Sequence, residues 1–322
     1  MHNNNSLNLD SLALECKLNN ANDSQETIGL IKALESRFDD SELVEIYNYF
    51  FDRSRDYTVI IFLLRQIDKK RDASSVSVLV DTLIMREKFK DRITDDDSRT
   101  QIRVMVAKTL ANLKDNQAVY PLLYCLNNKD ENYKIRLSCA EALGKIGDKY
   151  AVTPLVDVLE DESEHSVYIK ESAAFALGMI GDMKAVESLV SILESKKGII
   201  DKFTFLKERA IEALNKINFK SDRVFKALKN SLIDESAQVR INAIEALMNT
   251  DDSRVVDLIK TMLSDSEQEV VKNAVIALYN LVGEEILLEI IHSEESSEFA
   301  KLEANSLMEE ISGSCEDENY DE

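Results

Sequence analysis

Twenty residues, ALGKIGDKYAVTPLVDVLED from Ala142 to Asp161, return as ALGMIGDMKAVESLVSILES from Ala176 to Ser195, 34 positions later. With the leucine of ALG as anchor, the same register recurs at Leu110, Leu143, Leu177, Leu214, Leu247 and Leu278, with a degenerate copy at Leu307 and Leu64 in the anchor role upstream. A spacing held near 33 residues is that of one supersecondary unit stacked on copies of itself. Such a unit is too small to bury its apolar face alone, so its neighbours must cover it.

The residues around the anchor define the unit. Eight positions before it stands a large apolar residue (Ile102, Ile135, Ile169, Leu206, Val239, Val270), and one before it a small one (Thr109, Ala142, Ala176, Ala213, Ala246, Ala277). Positions −8, −4, −1, 0 and +3 fall on one stripe at a 3.6-residue period, which makes this segment an amphipathic helix, the second of its repeat. Before it runs another apolar segment, such as AVYPLLYCL (118–126), AVTPLVDVL (151–159) or AVESLVSIL (185–193), the first helix. Pro121 and Pro154 sit near the starts of two of these, where a missing N–H costs little. Asp130, Asp161, Asp234 and Asp265 mark polar turns between first and second helices. Gly147 and Gly181 stand where a left-handed helix C-cap favours glycine. Only 8 Gly and 2 Pro in 322 residues argue against folds that need many tight turns. The fold class is therefore all-α, a right-handed α-solenoid of about eight helix pairs.

The chain divides by regularity. Residues 1–24 are Asn-rich and read as a flexible N-terminus, residues 25–117 as degenerate helical repeats with an insertion at 88–100, and residues 118–311 as regular repeats. A second insertion covers 195–205, and the acidic tail 312–322 reads as disordered.

The segments YKIRLSCAEALGKIGDKYAVTPLVDVLED (133–161) and YIKESAAFALGMIGDMKAVESLVSILE (168–194) resemble HEAT repeats of the short PBS-lyase HEAT-like type. That resemblance implies a HEAT-like solenoid whose second helices line the concave surface. It also implies a possible place among the E/F-type bilin lyases and phycobilisome-associated factors, which hold a bilin and a phycobiliprotein together, often as two HEAT subunits. Enzymatic activity, if present, would then be bilin-lyase-like and exerted within a complex.

No catalytic, metal or cofactor site is legible. His2, His165 and His292 share no ligand spacing and are followed by Asn, Ser and Ser, so the His-Glu pairs through which the HEAT enzyme deoxyhypusine hydroxylase holds iron are missing. There is no glycine-rich phosphate loop. Cys125 and Cys139 fall at apolar helix positions and read as small core residues, and no CxxC pair occurs. Acidic residues number 60 against 39 basic, a formal charge of −21, which repels nucleic acid and anionic lipid. The longest apolar run, VIIFLL (59–64), is too short for membrane insertion. Without a signal-peptide pattern or disulfide framework, a cytoplasmic location is expected.

A base stands seven positions before most anchors (Arg103, Arg136, Lys170, Lys207, Arg240, with Lys272 one place late). Repetition in register points to packing, and the resemblance to HEAT repeats implies that each base meets the turn aspartate of a neighbouring repeat. Function belongs to the positions that vary. On the face away from the core, row −6 reads Thr58, Val104, Leu137, Glu171, Glu208, Ile241, Lys272, and row −2 reads Phe62, Lys108, Glu141, Phe175, Glu212, Glu245, Ile276. Row +1 adds Met248 and Tyr279. Apolar residues (Leu137, Phe175, Ile241, Met248, Ile276, Tyr279) alternate there with carboxylates (Glu141, Glu171, Glu208, Glu212, Glu245). An exposed mixture of this kind marks an interface. The partner it suits is a protein with an apolar, basic surface, whether a phycobiliprotein or a second HEAT protein, and the chain reads as a non-catalytic scaffold or chaperone.

Overall fold

The computed structural model describes residues 7–19, 23–85, 92–195 and 204–317. Among the described residues it contains eighteen α-helices, short 3-10 turns and no strand. They form two compact units, residues 1–180 and 181–322. In the first, α1 (Leu9–Glu15) and α2 (Ser24–Ala33) precede four helix pairs: α3 (Asp40–Arg53) with α4 (Tyr57–Lys70), α5 (Val76–Leu83) with α6 (Asp96–Leu113), α7 (Val119–Asn127) with α8 (Tyr133–Ile146), and α9 (Val152–Glu160) with α10 (Val167–Ile180). The second holds four more: α11 (Val186–Glu194) with α12 (Thr204–Ile217), α13 (Asp222–Ser231) with α14 (Ala237–Met248), α15 (Val255–Lys260) with α16 (Gln268–Val282), and α17 (Glu284–His292) with α18 (Glu298–Asp317). Within each unit successive second helices pack side by side, α4–α6–α8–α10 and α12–α14–α16–α18, which is α-solenoid architecture.

The anchor stripe is the core. Leu110, Leu143, Leu177, Leu247 and Leu278 are fully buried, with Ile135, Cys139 and Ala142 completing the stripe on α8. Each buried leucine contributes roughly 1.5–3 kcal/mol of transfer free energy. Between a second helix and the next first helix the chain reverses through one residue with positive φ and a capping aspartate. Gly147 (φ 79°) and Gly181 (φ 74°) take this role, as do Arg71, Lys114 and Asp251 without a glycine's freedom, while after Asn218, also at positive φ, the cap is Ser221. Asp72, Asp115, Asp148 and Asp182 then accept the N–H two residues on. Lys114 (φ 54°) closes α6 by donating its N–H to the Leu110 carbonyl, as Gly147 does to Leu143. Lys114→Gly should relieve the Cβ strain and stabilise the first unit by about 0.5–1 kcal/mol, read as a rise in urea midpoint.

The helix caps correct the register at both ends. Asp56 caps α4 and places Val59 three residues on, where Asn132 places Ile135 on α8. The anchor of α4 is therefore Ile67, whose carbonyl receives the Arg71 N–H, and not Leu64. Thr58 and Phe62 leave rows −6 and −2, and Ile61 and Arg65 take those places. At the other end Ser297 accepts the Ala300 N–H as Ser236 accepts that of Val239, so the anchor of α18 is Met308 rather than Leu307. Position −7 of α16 is the buried Val271, and Lys272 lies outside the base row.

Segment boundaries move as well. Asn8 and Asp23 cap helices α1 and α2 inside the stretch read as a flexible terminus, and α18 continues through Asp317, past the expected start of the tail. Of the insertion at 88–100, residues 96–100 are the first turns of α6, capped by Asp95. Residues 86–91, and 196–203 of the second insertion, lie outside the described residues, as do 1–6, 20–22 and 318–322. The sequence boundary at 117/118 separates degenerate from regular repeats, a different division from the two compact units.

The bases at −7 are structural. Arg103, Arg136 and Arg240 are buried. Arg103, Arg136 and Lys170 reach the carbonyl end of their own repeat's first helix, Arg103 Nε to Leu83 O (2.7 Å), Arg136 Nε to Leu126 O (2.8 Å) and Lys170 Nζ to Leu159 O (2.9 Å), while Arg240 Nη1 reaches the Asp234 carbonyl in the turn that follows (2.8 Å). A cation there satisfies carbonyls that the helix leaves unpaired. In the second unit the acid of the next repeat is the expected turn aspartate: Lys207 pairs with Asp234, and Arg240 binds Asp265 with two bonds of 2.8 and 2.7 Å. In the first unit the expectation fails. Arg103 pairs with Glu131 rather than Asp130, and Arg136 with Glu164 rather than Asp161. There the turn is made by Asn128 and Asp161, which accept the N–H of Asp130 and Ser163, and the ion pair by a glutamate three residues further on.

These pairs give the fold an acid limit. Burial alone would raise the carboxyls of Glu131 and Glu164, but the hydrogen bonds and charge of Arg103 and Arg136, together with the N–H groups of Asn132 and Ser166, outweigh it and hold both below the ordinary 4.5. A depressed folded-state pKa adds stability that is present above the unfolded value and lost as pH falls through the folded one. The urea midpoint of the first unit should stay flat from neutral pH down to about 5.5 and drop below about 4.5, less steeply in Glu131→Gln and Glu164→Gln.

Candidate functional site

The second-helix face is built separately in each unit. In the first, Leu137 and Glu141 on α8 lie beside Glu171 and Phe175 on the adjacent α10, all four half-buried. Beside Leu137 a cleft of about 340 Å³ opens between α6 and α8, lined by Asp97, Gln101, Val104, Tyr133 and Leu137. In the second unit Glu208 and Glu212 stand on α12, Ile241, Glu245 and Met248 on α14, and Ile276 and Tyr279 on α16. Glu245 and Ile276 are exposed and the other five half-buried. Glu212 and Glu245 share a cleft of about 340 Å³ with Ile211, Asn215, Lys216 and Asn242. Arg209 binds Glu212 at 2.7 Å from one turn earlier on α12, so that carboxylate is partly neutralised while Glu245 adds net negative charge.

All eleven candidate residues thus reach the surface, seven in one unit and four in the other. Row +1 behaves differently in the two glycine repeats. Gly144 and Gly178 are buried, whereas Met248 and Tyr279 reach the surface. Sequence reasoning missed amide bridges between successive second helices: Asn112 Nδ2 donates to Asp68 Oδ1 (2.7 Å), and Asn249 Nδ2 to Asn215 Oδ1 (2.8 Å). Both donors stand two places after an anchor, and both acceptors one place after the preceding anchor, a signal that appears once Ile67 is taken as the anchor of α4. Cys125 and Cys139 are buried free thiols. Among the described residues no cluster of three or more His, Cys, Asp or Glu could hold a metal, and no helix is long and apolar enough to cross a membrane.

Comparison with known proteins agrees with the architecture. A family model for HEAT repeats matches residues 86–167, 121–200, 198–279 and 222–303, which together cover more than half of the chain. The chain is a HEAT-repeat protein. No curated protein matches it in sequence. Among solved structures it is similar to Kap95p in a complex with RanGDP (TM-score 0.57, 12% identity, 94% of this chain and 46% of that one). It is also similar to the karyopherin Kap121p bound to the SUMO protease Ulp1p (TM-score 0.53, 15% identity, 92% and 36%). A further likeness is to the CpcE–CpcF complex of phycocyanin lyase from Nostoc sp. (TM-score 0.45, 19% identity, 73% and 94%). At these identities the likenesses concern the fold. The HEAT-repeat chain spans less than half the length of both karyopherins.

Proposed function

We propose that this HEAT-repeat protein is a non-catalytic scaffold that binds a protein segment on the exposed face of its second helices. The observation that carries the reading is Ile276, a β-branched aliphatic left 38% exposed on a second helix whose inward side is fully packed. Large apolar side chains that the stack does not need, set among carboxylates, are what a polar-rimmed protein interface looks like before its partner arrives. The partner is apolar with basic flanks, since the chain carries a charge of −21 and the exposed Glu245 stands between Ile241 and Met248 on one face of α14. Cytoplasmic residence is consistent with this role.

The test is affinity capture with the wild-type chain against Phe175→Glu with Ile276→Glu, circular dichroism establishing that both are folded. The wild type should retain a partner with a basic, apolar surface, and the variant should lose at least about 1.4 kcal/mol, a tenfold weakening. Equal capture by both proteins would remove the face from consideration. A bilin-lyase-like subunit, working with a second HEAT protein on a phycobiliprotein, is the second reading. Its support is the repeat type of segments 133–161 and 168–194, and the glutamates along the face count against it because bilin propionates call for arginine and lysine. Co-purification of a phycobiliprotein or a bilin would decide for it.

A further inference from the structure

The register of α18 adds a residue to the second-helix face that no row of the sequence contained. Ser297 caps α18 as Ser236 caps α14, so Leu302 occupies position −6, the place of Ile241 on α14. Leu302 is 63% exposed. With it the second unit carries Ile241, Met248, Ile276, Tyr279 and Leu302 on the outward faces of three consecutive, mutually packed helices, α14, α16 and α18. Met248 at +1 of α14, Ile276 at −2 of α16 and Leu302 at −6 of α18 form an oblique apolar strip across the helices, flanked by Ile241 and Tyr279, with Glu245 and Lys272 at the intervening positions.

The spacing selects the conformation of its occupant. Packed helices stand about 8–10 Å apart, so the strip offers an apolar position about every 10 Å. A ligand helix presents residues i and i+7 on one face about 10.5 Å apart. An extended strand repeats its face every two residues, about 6.8 Å, and falls out of step by the second helix. Charge selects the flanks. Glu245 stands between Ile241 and Met248 on α14, and α18, which carries Leu302, has Glu298, Glu303, Glu309 and Glu310 against Lys301, which pairs with Glu298; the exposed Lys272 on α16 is the other cation on these faces.

We propose that the strip on the second unit docks a basic amphipathic α-helix of a partner protein, with apolar anchors at heptad spacing and lysine or arginine on either side. This rests on the scaffold reading above and narrows it to one unit and one ligand conformation.

The test uses the full-length chain and three synthetic peptides of identical leucine and lysine composition. One has leucines at heptad-type helical spacing, one strictly alternates leucine and lysine, and one is scrambled. The helical peptide should bind best, and Leu302→Asp with Ile276→Asp should weaken it at least tenfold. Leu302→Asp alone, at a largely exposed site, should weaken it several-fold without disturbing the fold. Raising salt should weaken it further, because the flanks are charge pairs. Equal binding of all three peptides would show mere attraction to an acidic protein and overturn the proposal. Preference for the alternating peptide would overturn the helical ligand while leaving the scaffold reading intact. Unchanged binding in both variants would overturn the site. If the captured partner of the preceding section is then lost on Phe175→Glu but kept on Leu302→Asp, the scaffold reading stands on the first unit and this inference falls alone. Self-association abolished by Leu302→Asp, without peptide binding, would assign the strip to a second copy and overturn the proposal.

Discussion

Arg136→Met is expected to destabilise the first unit by about 3–5 kcal/mol, the usual cost of leaving one member of a buried ion pair without its partner. The Arg136 and Glu164 side chains are only 7% and 6% exposed, so water cannot replace the guanidinium. The substitution also strips the Leu126 carbonyl of its 2.8 Å hydrogen bond, at the carbonyl end of the preceding first helix. Urea denaturation at pH 7 of the wild type, Arg136→Met, Glu164→Met and the double variant would measure this. The double variant should recover much of the loss, because a pair replaced by apolar side chains leaves no buried charge. A single-variant loss below about 1 kcal/mol would mean that Glu164 finds water or another donor, and that the ladder contributes little.

Gly144→Val is expected to cost about 2–3 kcal/mol through overpacking. A Cβ at Gly144 would lie 2.7 Å from the Ala176 Cα and 3.0 Å from its Cβ, so α8 and α10 would have to separate. The obstacle is backbone on a neighbouring helix, which no rotamer change can relieve. Gly144→Ala meets the same atoms but recovers about 1 kcal/mol of helix propensity, so its net cost should be smaller. Thermal unfolding of both variants beside the wild type gives the ordering. If Gly144→Val matched the wild type, the two helices would not be in the close contact described. The sequence contained the clue, since the ALG motif places a small residue on either side of the anchor. It assigned the glycine row to the open face, however, because a helical wheel knows only the angle and not the distance to the next helix.

The base ladder shows how far a repeat pattern can be read. Its packing role follows from periodicity, and the second unit uses the expected aspartates. In the first unit Arg103 and Arg136 choose Glu131 and Glu164, each 28 residues downstream. In the second unit Asp234 and Asp265 hold their own turns as well as the ion pairs, and Ala237 and Gln268 stand where the first unit has its glutamates. One-dimensional spacing could not distinguish an acid that makes a turn from an acid that makes an ion pair when the two stand three residues apart.

The sequence by itself determined the all-α class, the helix-pair repeat, the number of pairs and the buried stripe of the regular repeats. All of these follow from hydrophobic periodicity and its recurrence, which are local properties of the chain. Only the tertiary structure decided the register at the two ends, Ile67 for Leu64 and Met308 for Leu307. On α4 Ile60, Leu63, Leu64 and Ile67 are all buried, so apolar residues occur in more than one frame, and the capping hydrogen bonds of Asp56 and Ser297 fix the frame instead. The tertiary structure likewise divided the candidate face between two units and brought Leu302 onto it. Which side chains remain exposed depends on what the neighbouring helix covers, and that neighbour lies some thirty residues away in the chain.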